Sequence, residues 1–254
     1  MERENALPPG EYALSCGGIL RWDDRKEALC GTVIICPGGG YEWLSPREAG
    51  PVAAAFREHD WNAAVLYYTV RRWETGEGLG TLPLRQLGEA VKLVKEQEPG
   101  QTVVVCGFSA GGHLAASLGV HWKNLGLVRP DALILCYPVI SAGGRGHQPS
   151  MRNLAGEKDT SFFSLECHVT SDMPPVFLWH TGADPEVPVE NSLLMADAMA
   201  RAGVKFELIV FPRGTHGLSL ATPQVEEPEK GRFADSHVAR WFGLCLEWLD
   251  TLTK

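Results

Sequence analysis

One stretch limits the possible folds more than any other: Val103-Val104-Val105-Cys106-Gly107-Phe108-Ser109-Ala110-Gly111-Gly112-His113. An apolar, β-branched run enters Gly-x-Ser-x-Gly, and small apolar residues leave it. The order is strand, sharp turn, helix. That is the layout of a nucleophile elbow, which lifts a serine hydroxyl to the top of a sheet. Side chains at Gly107 or Gly111 would collide with the adjoining strand and helix. Gly-x-Ser-x-Gly alone is a weak signal, shared with ordinary βα turns, and it is the flanks that give it weight.

The rest of the chain repeats the alternation. Short apolar runs at 32–36, 63–68, 132–137, 176–180 and 206–211 read as buried strands. Residues 10–21 predict a short edge strand or hairpin. A helix is expected from Ser45 to about His59, with Ser45 as cap, Pro46 in the first turn and Glu48 closing a capping box. Others are expected at 84–97, after Ser109, and at 189–202, where Gly203 stops the helix. A last helix carries Val238, Trp241, Phe242, Cys245, Trp248, Leu249 and Leu252 on one face. Alternating strands and helices predict the α/β class: a mostly parallel central sheet with helices on both faces. The long polar segments 71–81, 141–173 and 221–233 are the candidates for loops covering a site.

A chain of 254 residues, 44% hydrophobic, can bury a sizeable core, and we treat 1–254 as one domain. Its net charge is −8 with the signs interspersed, so nucleic acid is not an expected partner. The seven cysteines are odd in number and show no metal-ligand spacing. Cys36, Cys106 and Cys136 lie in predicted strands, where a free thiol packs as a small hydrophobe. Neither disulfides nor a metal is expected, and a cytoplasmic location fits. The segment Met1-Glu2-Arg3-Glu4-Asn5 lacks the pattern of a secretory signal, and no apolar run is long enough to span a membrane.

In parallel sheets a site forms at the carboxyl ends of the strands. At those ends stand Gly38, Gly39 and Gly40, then Ser109, Asp184 and His216. A serine hydroxyl needs a base to become a nucleophile, and an imidazole near neutrality can take its proton and return it. Asp184 can hold the other ring nitrogen. An acyl oxygen turned anionic needs fixed donors: the Ala110 N–H at a helix start, and those of Gly39 and Gly40.

Simpler readings compete at several positions. Pro37-Gly38-Gly39-Gly40 resembles a phosphate loop but lacks the Lys-Ser/Thr pair. Glu186 and Asp172 are alternative partners for His216. His113 and His121 read as packing residues, and His180 as a satisfied core or near-site residue. Tyr41, Trp43 and Trp122 are candidates for a substrate pocket, although aromatic residues more often serve the core. Asp23 and Asp24 read as a solvated acidic turn.

Together these motifs resemble the acetyl esterase/acetylxylan esterase-like group of α/β-hydrolases. The resemblance rests on Ile35-Cys36-Pro37-Gly38-Gly39-Gly40-Tyr41, Ser45-Pro46-Arg47-Glu48, Cys106 to Leu114, Leu135 to Ile140, Trp179 to Asp184 and Gly214-Thr215-His216-Gly217-Leu218. It implies an α/β-hydrolase fold and a serine carboxylesterase acting on short acyl esters, often acetyl groups on sugars. By matching positions it implies Ser109, Asp184 and His216 as triad, and Gly39, Gly40 and Ala110 as oxyanion hole. The related hormone-sensitive-lipase group has a His before its glycines and a large N-terminal cap. Here Pro37 replaces that His, and too few residues precede Thr32 for such a cap. An open site that takes a short acyl chain is expected.

The expected partner is therefore a small-molecule ester, with no cofactor. Amide hydrolysis of the kynurenine formamidase type is the nearest alternative, and an inactive hydrolase-fold binding protein is a third. Exposed aromatic residues leave a homodimer open without marking an interface.

Overall fold

The computed structural model describes residues 9–22, 30–71 and 77–252. The Asp23–Asp24 turn, residues 1–8 and part of the 71–81 loop lie outside the described residues. Among the described residues eight strands form one sheet: β1 (Gly10–Ala13), β2 (Ile19–Trp22), β3 (Gly31–Cys36), β4 (Asn62–Tyr67), β5 (Thr102–Phe108), β6 (Ala132–Cys136), β7 (Val176–Thr181) and β8 (Phe206–Phe211). Their order is β1-β2-β4-β3-β5-β6-β7-β8. The hairpin β1–β2 and the β2–β4 pair are antiparallel, and every pair from β4 to β8 is parallel.

Among the described residues the α-helices are α1 (Gly50–Glu58), α2 (Leu82–Gln97), α3 (Ala110–His121), α4 (Gln148–Ala155), α5 (Glu190–Ala202) and α6 (Arg240–Asp250). Successive strand residues point to opposite faces, and the core divides accordingly. Ile34, Ala64, Val105, Leu135 and Leu178 face the layer holding α2, α3 and α5. Val33, Ile35, Val104, Ile134 and Trp179 face the layer of α1 and α6. Strands buried on both faces need continuous apolar sequence, which is why β3, β5, β6 and β7 were legible as unbroken runs. Every residue of α3 is buried, as its small-residue sequence requires. Among the described residues, no helix is long and apolar enough to cross a membrane. All seven cysteines are free.

Two local expectations are corrected. The helix expected to start at Ser45 is split. Pro46–Glu48 forms a single 3₁₀ turn, the chain breaks at Ala49 (φ −106°, ψ −99°), and α1 begins at Gly50. The Ser45 side chain makes no capping bond, so the capping box does not form. Glu48 turns inward instead. The 141–173 segment is also more ordered than its composition suggests: it holds α4 and two 3₁₀ turns, Ser161–Phe163 and Leu165–Cys167.

Candidate active site

β3, β5, β7 and β8 end at the same edge of the sheet, and the loops that follow them bring the expected residues together. After β5 the chain turns so sharply that Ser109 adopts φ 53° and ψ −117°. A non-glycine residue held there stores on the order of 1–3 kcal/mol of strain. Surrounding bonds hold it: Ser109 N–H donates to the Cys136 carbonyl at 3.0 Å, and the Ser109 carbonyl accepts from His113 N–H at 3.0 Å. A side chain at Gly107 would run into the Gly111 carbonyl, and one at Gly111 into the Cys36 carbonyl.

His216 follows β8 and reaches back over this turn. Its Nε2 lies 2.8 Å from Ser109 Oγ, and its Nδ1 lies 2.6 Å from Asp184 Oδ2. With Asp184 accepting the Nδ1–H, the remaining nitrogen is free to accept the serine hydroxyl. Asp184 Oδ1 accepts the N–H groups of Glu186 and Val187, both at 2.9 Å. Burial by itself would raise the Asp184 carboxyl. The bonds from His180 and His216 outweigh it and hold the group well below the usual carboxylate range. His180 is both a satisfied core residue and a neighbour of the site: it is fully buried, Nδ1 meets Ser192 Oγ at 2.7 Å, and Nε2 meets the Val187 carbonyl at 2.9 Å and lies 3.4 Å from Asp184 Oδ2.

The alternative acids stand elsewhere. Asp172 is at the surface, paired with Lys123 at 2.6 Å. Glu186 lies beside the site, and its carboxylate is 3.8 Å from Arg232 rather than on His216.

The glycine loop after β3 is tied at every carbonyl from Pro37 to Tyr41. Tyr68 Oη donates to Pro37, Ser45 N–H to Gly38, Trp43 N–H to Gly39, Asn153 Nδ2 to Gly40 and Arg71 N–H to Tyr41. Gly39 (φ 128°) and Gly40 (φ 64°) adopt backbone conformations that other residues rarely reach. Their own N–H groups find no acceptor among the described residues. Gly38 N–H donates to Glu48 Oε2 at 2.8 Å, and a Cβ on Gly38 would sit 2.8 Å from that same oxygen.

A cavity of about 250 Å³ opens over Ser109 and His216, with Gly39, Gly40, Trp43 and His147 among its walls. Two expected pocket residues do not reach it. Tyr41 is buried under the glycine loop, its hydroxyl 2.9 Å from His113 Nδ1. Trp122 sits at the far end of α3, with its indole N–H on the Asp172 carbonyl at 3.3 Å. Both aromatic rings face the layer that carries α3 instead of the sheet edge. Of the three aromatic candidates, Trp43 alone lines the cavity, and it is 44% exposed.

Among the expected covering loops, 141–173 supplies His147, Pro149 and Asn153, and 221–233 supplies Arg232. The described part of 71–81 packs on α4 instead: Leu79 N–H and Gly80 N–H donate to the carbonyls of Asn153 and Leu154. His147, Asn153 and Arg232 stand in no motif that marks them in the sequence, and Glu48 serves the glycine loop rather than a helix cap. His113 and His121 are packing residues: each holds a carbonyl of the Ser161–Phe163 turn, Phe163 and Phe162 respectively, at 3.0 Å. Among the described residues no group of three or more His, Cys, Asp or Glu side chains converges to hold a metal ion.

Comparison with known proteins agrees with this architecture. The family described as alpha/beta hydrolase fold matches residues 83–171, and the prolyl oligopeptidase family matches residues 151–245. The chain is 36% identical over 248 residues to endo-1,4-beta-xylanase B of Butyrivibrio fibrisolvens, covering 87% of this chain and 38% of that protein. It is 31% identical to an acetylxylan esterase of Xylanibacter ruminicola, covering 79% of this chain and 45% of that one. The chain thus spans less than half the length of these two curated relatives. Among solved structures, an acetyl ester-xyloside bifunctional hydrolase from Caldicellulosiruptor lactoaceticus superposes with a TM-score of 0.81 at 33% identity, covering 98% of both chains. With a shared fold, shared length and one-third identity to that structure, the chain belongs to the acetyl esterase-like α/β-hydrolases.

Proposed function

We propose that this protein is a serine carboxylesterase that removes short acyl groups, chiefly acetyl, from sugar or oligosaccharide alcohols. The observation that carries the reading is the continuous hydrogen-bonded line Ser109–His216–Asp184 under a cavity walled by Gly39 and Gly40. In this reading His216 takes the Ser109 proton as Oγ attacks the acyl carbon. Asp184 stabilises the imidazolium that forms. The N–H groups of Gly39, Gly40 and Ala110 receive the developing oxyanion. The imidazolium then protonates the departing alkoxide, and a water activated by the same ring releases the acid.

The cavity favours a small acyl group and an alcohol part extending outward. Its volume, about 250 Å³, is below the 300–1,000 Å³ of ordinary ligand pockets. The names of the relatives point the same way, toward acetylated xylan. Catalysis by this line needs no metal and no cofactor.

A chain-length series of p-nitrophenyl esters, run beside acetylated xylo-oligosaccharides, tests the reading. Acetate should be cleaved fastest, and octanoate outpacing acetate would contradict the short-acyl assignment. An organophosphate should label Ser109, whereas an inactive binding protein would form no adduct. Ser109→Ala should abolish both turnover and labelling while leaving the folded state intact.

A further inference from the structure

We infer that His147 is a substrate-contacting residue that selects esters of polyhydroxy alcohols by donating a hydrogen bond from Nε2 to a hydroxyl beside the ester. The assignment rests on the esterase reading above and adds a specificity element to it.

His147 comes just before α4 and forms part of the cavity wall together with Ser109 and His216. Its Cε1 lies 3.9 Å from the point where a Cβ on Gly40 would sit, so the ring stands over the glycine loop. The ring is locked by its other nitrogen. Nδ1 meets Ser150 Oγ at 2.8 Å and accepts Ser150 N–H at 3.4 Å. A backbone N–H can only donate, so Nδ1 carries the lone pair. In the neutral ring the proton is then on Nε2.

That Nε2–H has no protein acceptor among the described residues, although the ring lines the cavity. Burial holds the His147 imidazole below its ordinary range, and the neighbouring His216 adds to the effect against the pull of Glu186 and Asp184. The ring therefore stays neutral and keeps a single, defined donor at neutral pH. A donor fixed in this way stands in the wall of the same cavity as Ser109 and His216, within reach of the part of an ester held there. It cannot serve as a second base, because its lone pair is already engaged by Ser150. It can bind an oxygen. A simple alkyl or aryl ester offers no oxygen there beyond the ester itself, whereas a sugar offers a neighbouring hydroxyl.

The test is a matched pair of substrates: a monoacetylated methyl xyloside, and cyclohexyl acetate, which presents a ring of the same size without hydroxyls. The readout is the ratio of their kcat/KM values. His147→Phe keeps a ring and removes the donor. It should lower the ratio at least fivefold, and His147→Gln, whose amide can donate, should recover part of the loss. A ratio lowered by less than fivefold in His147→Phe, or equal losses on both substrates, overturns the assignment.

Ser150→Ala provides a second route if His147→Phe proves unstable by thermal melting. Without the Ser150 hydroxyl the backbone N–H still sets the tautomer, but the ring loses its 2.8 Å anchor and the donor its fixed position, so the ratio should fall in the same direction by a smaller factor. An unchanged ratio there would overturn the assignment too. Failure of the esterase reading looks different, since the unaltered protein would then cleave neither acetate.

Discussion

The Tyr137 hydroxyl donates to Glu48 Oε1 at 2.6 Å and accepts the Ser219 N–H at 2.9 Å. Because Glu48 Oε2 holds Gly38 N–H, one buried carboxyl and one phenol join the glycine loop to the loop carrying His216. The adjacent Arg47 strengthens the junction, with Nη1 on the Gly217 carbonyl at 2.8 Å and its own carbonyl receiving Ser219 Oγ at 2.8 Å. Burial pushes the Tyr137 phenol well above its ordinary range, and the Glu48 carboxylate pushes it further, so it remains a neutral donor.

Removing Glu48 should therefore damage both loops together. Glu48→Ala strands the Gly38 N–H and the Tyr137 hydroxyl, at about 1–3 kcal/mol for each buried group left unpaired. A lower midpoint in urea denaturation and a fall in kcat larger than the rise in KM are expected. Glu48→Gln retains one acceptor oxygen and should lie between Glu48→Ala and the unaltered protein in both measurements.

Asp184 and Glu186 are two residues apart, and kinetics can separate them. Asp184→Asn disrupts the tautomer that the His216–Asp184 bond imposes, and kcat should drop by about 10³–10⁴-fold. Glu186→Gln removes a carboxylate that touches neither His216 nor Ser109, and kcat should stay close to that of the unaltered protein. The opposite result would transfer the acid to Glu186.

His113 makes stability depend on pH. Burial lowers it from 6.5 to about 4, partly offset by its bond to the Phe163 carbonyl and assisted by nearby His121. Above pH 6.5 the ring is neutral in both folded and unfolded chains, and the stabilising contact is complete. As pH falls below 6.5 the unfolded chain takes up a proton that the folded chain refuses, so stability declines down to about pH 4. The loss from this group is roughly 3 kcal/mol, at 1.36 kcal/mol per pH unit. Urea titrations at pH 7 and pH 4.5 should show the decline, and His113→Gln should flatten it.

Gly107→Ala should fail to fold. The new methyl group meets the backbone of Gly111 and Gly112 rather than a side chain that could swing aside. A penalty above about 4 kcal/mol is expected, enough to bring most of the expressed protein into the insoluble fraction. Soluble protein with an unchanged melting temperature would contradict the packing described for this turn.

Ser109, His216 and Asp184 were legible because each follows a strand whose apolar run is easy to recognise, and a parallel sheet sends all such positions to one edge. Glu48 was misread for a local reason. Ser45-Pro46-Arg47-Glu48 has the spacing of a capping box, and only the break at Ala49 turns the carboxyl inward. A polar side chain bound this tightly to residues distant in the chain leaves no periodic trace.

His147 was invisible for the opposite reason. The Gly- and Ser-rich sequence before it offers no periodicity from which α4, or a wall of the cavity, could be inferred. Tyr41 and Trp122 show the limit of reading aromatics near a motif. Proximity in sequence to Gly40 or to the end of α3 did not say which layer their rings would face.

The glycine loop has one further consequence. Its carbonyls are all engaged before any substrate arrives, so the peptide planes cannot swing when charge builds up on a bound oxygen. Water around an anion must first reorient its dipoles, whereas under the proposed esterase function Gly39 and Gly40 would present theirs already aligned. The reorganisation energy of that proposed step would then be met during folding, once, and would not recur with each turnover.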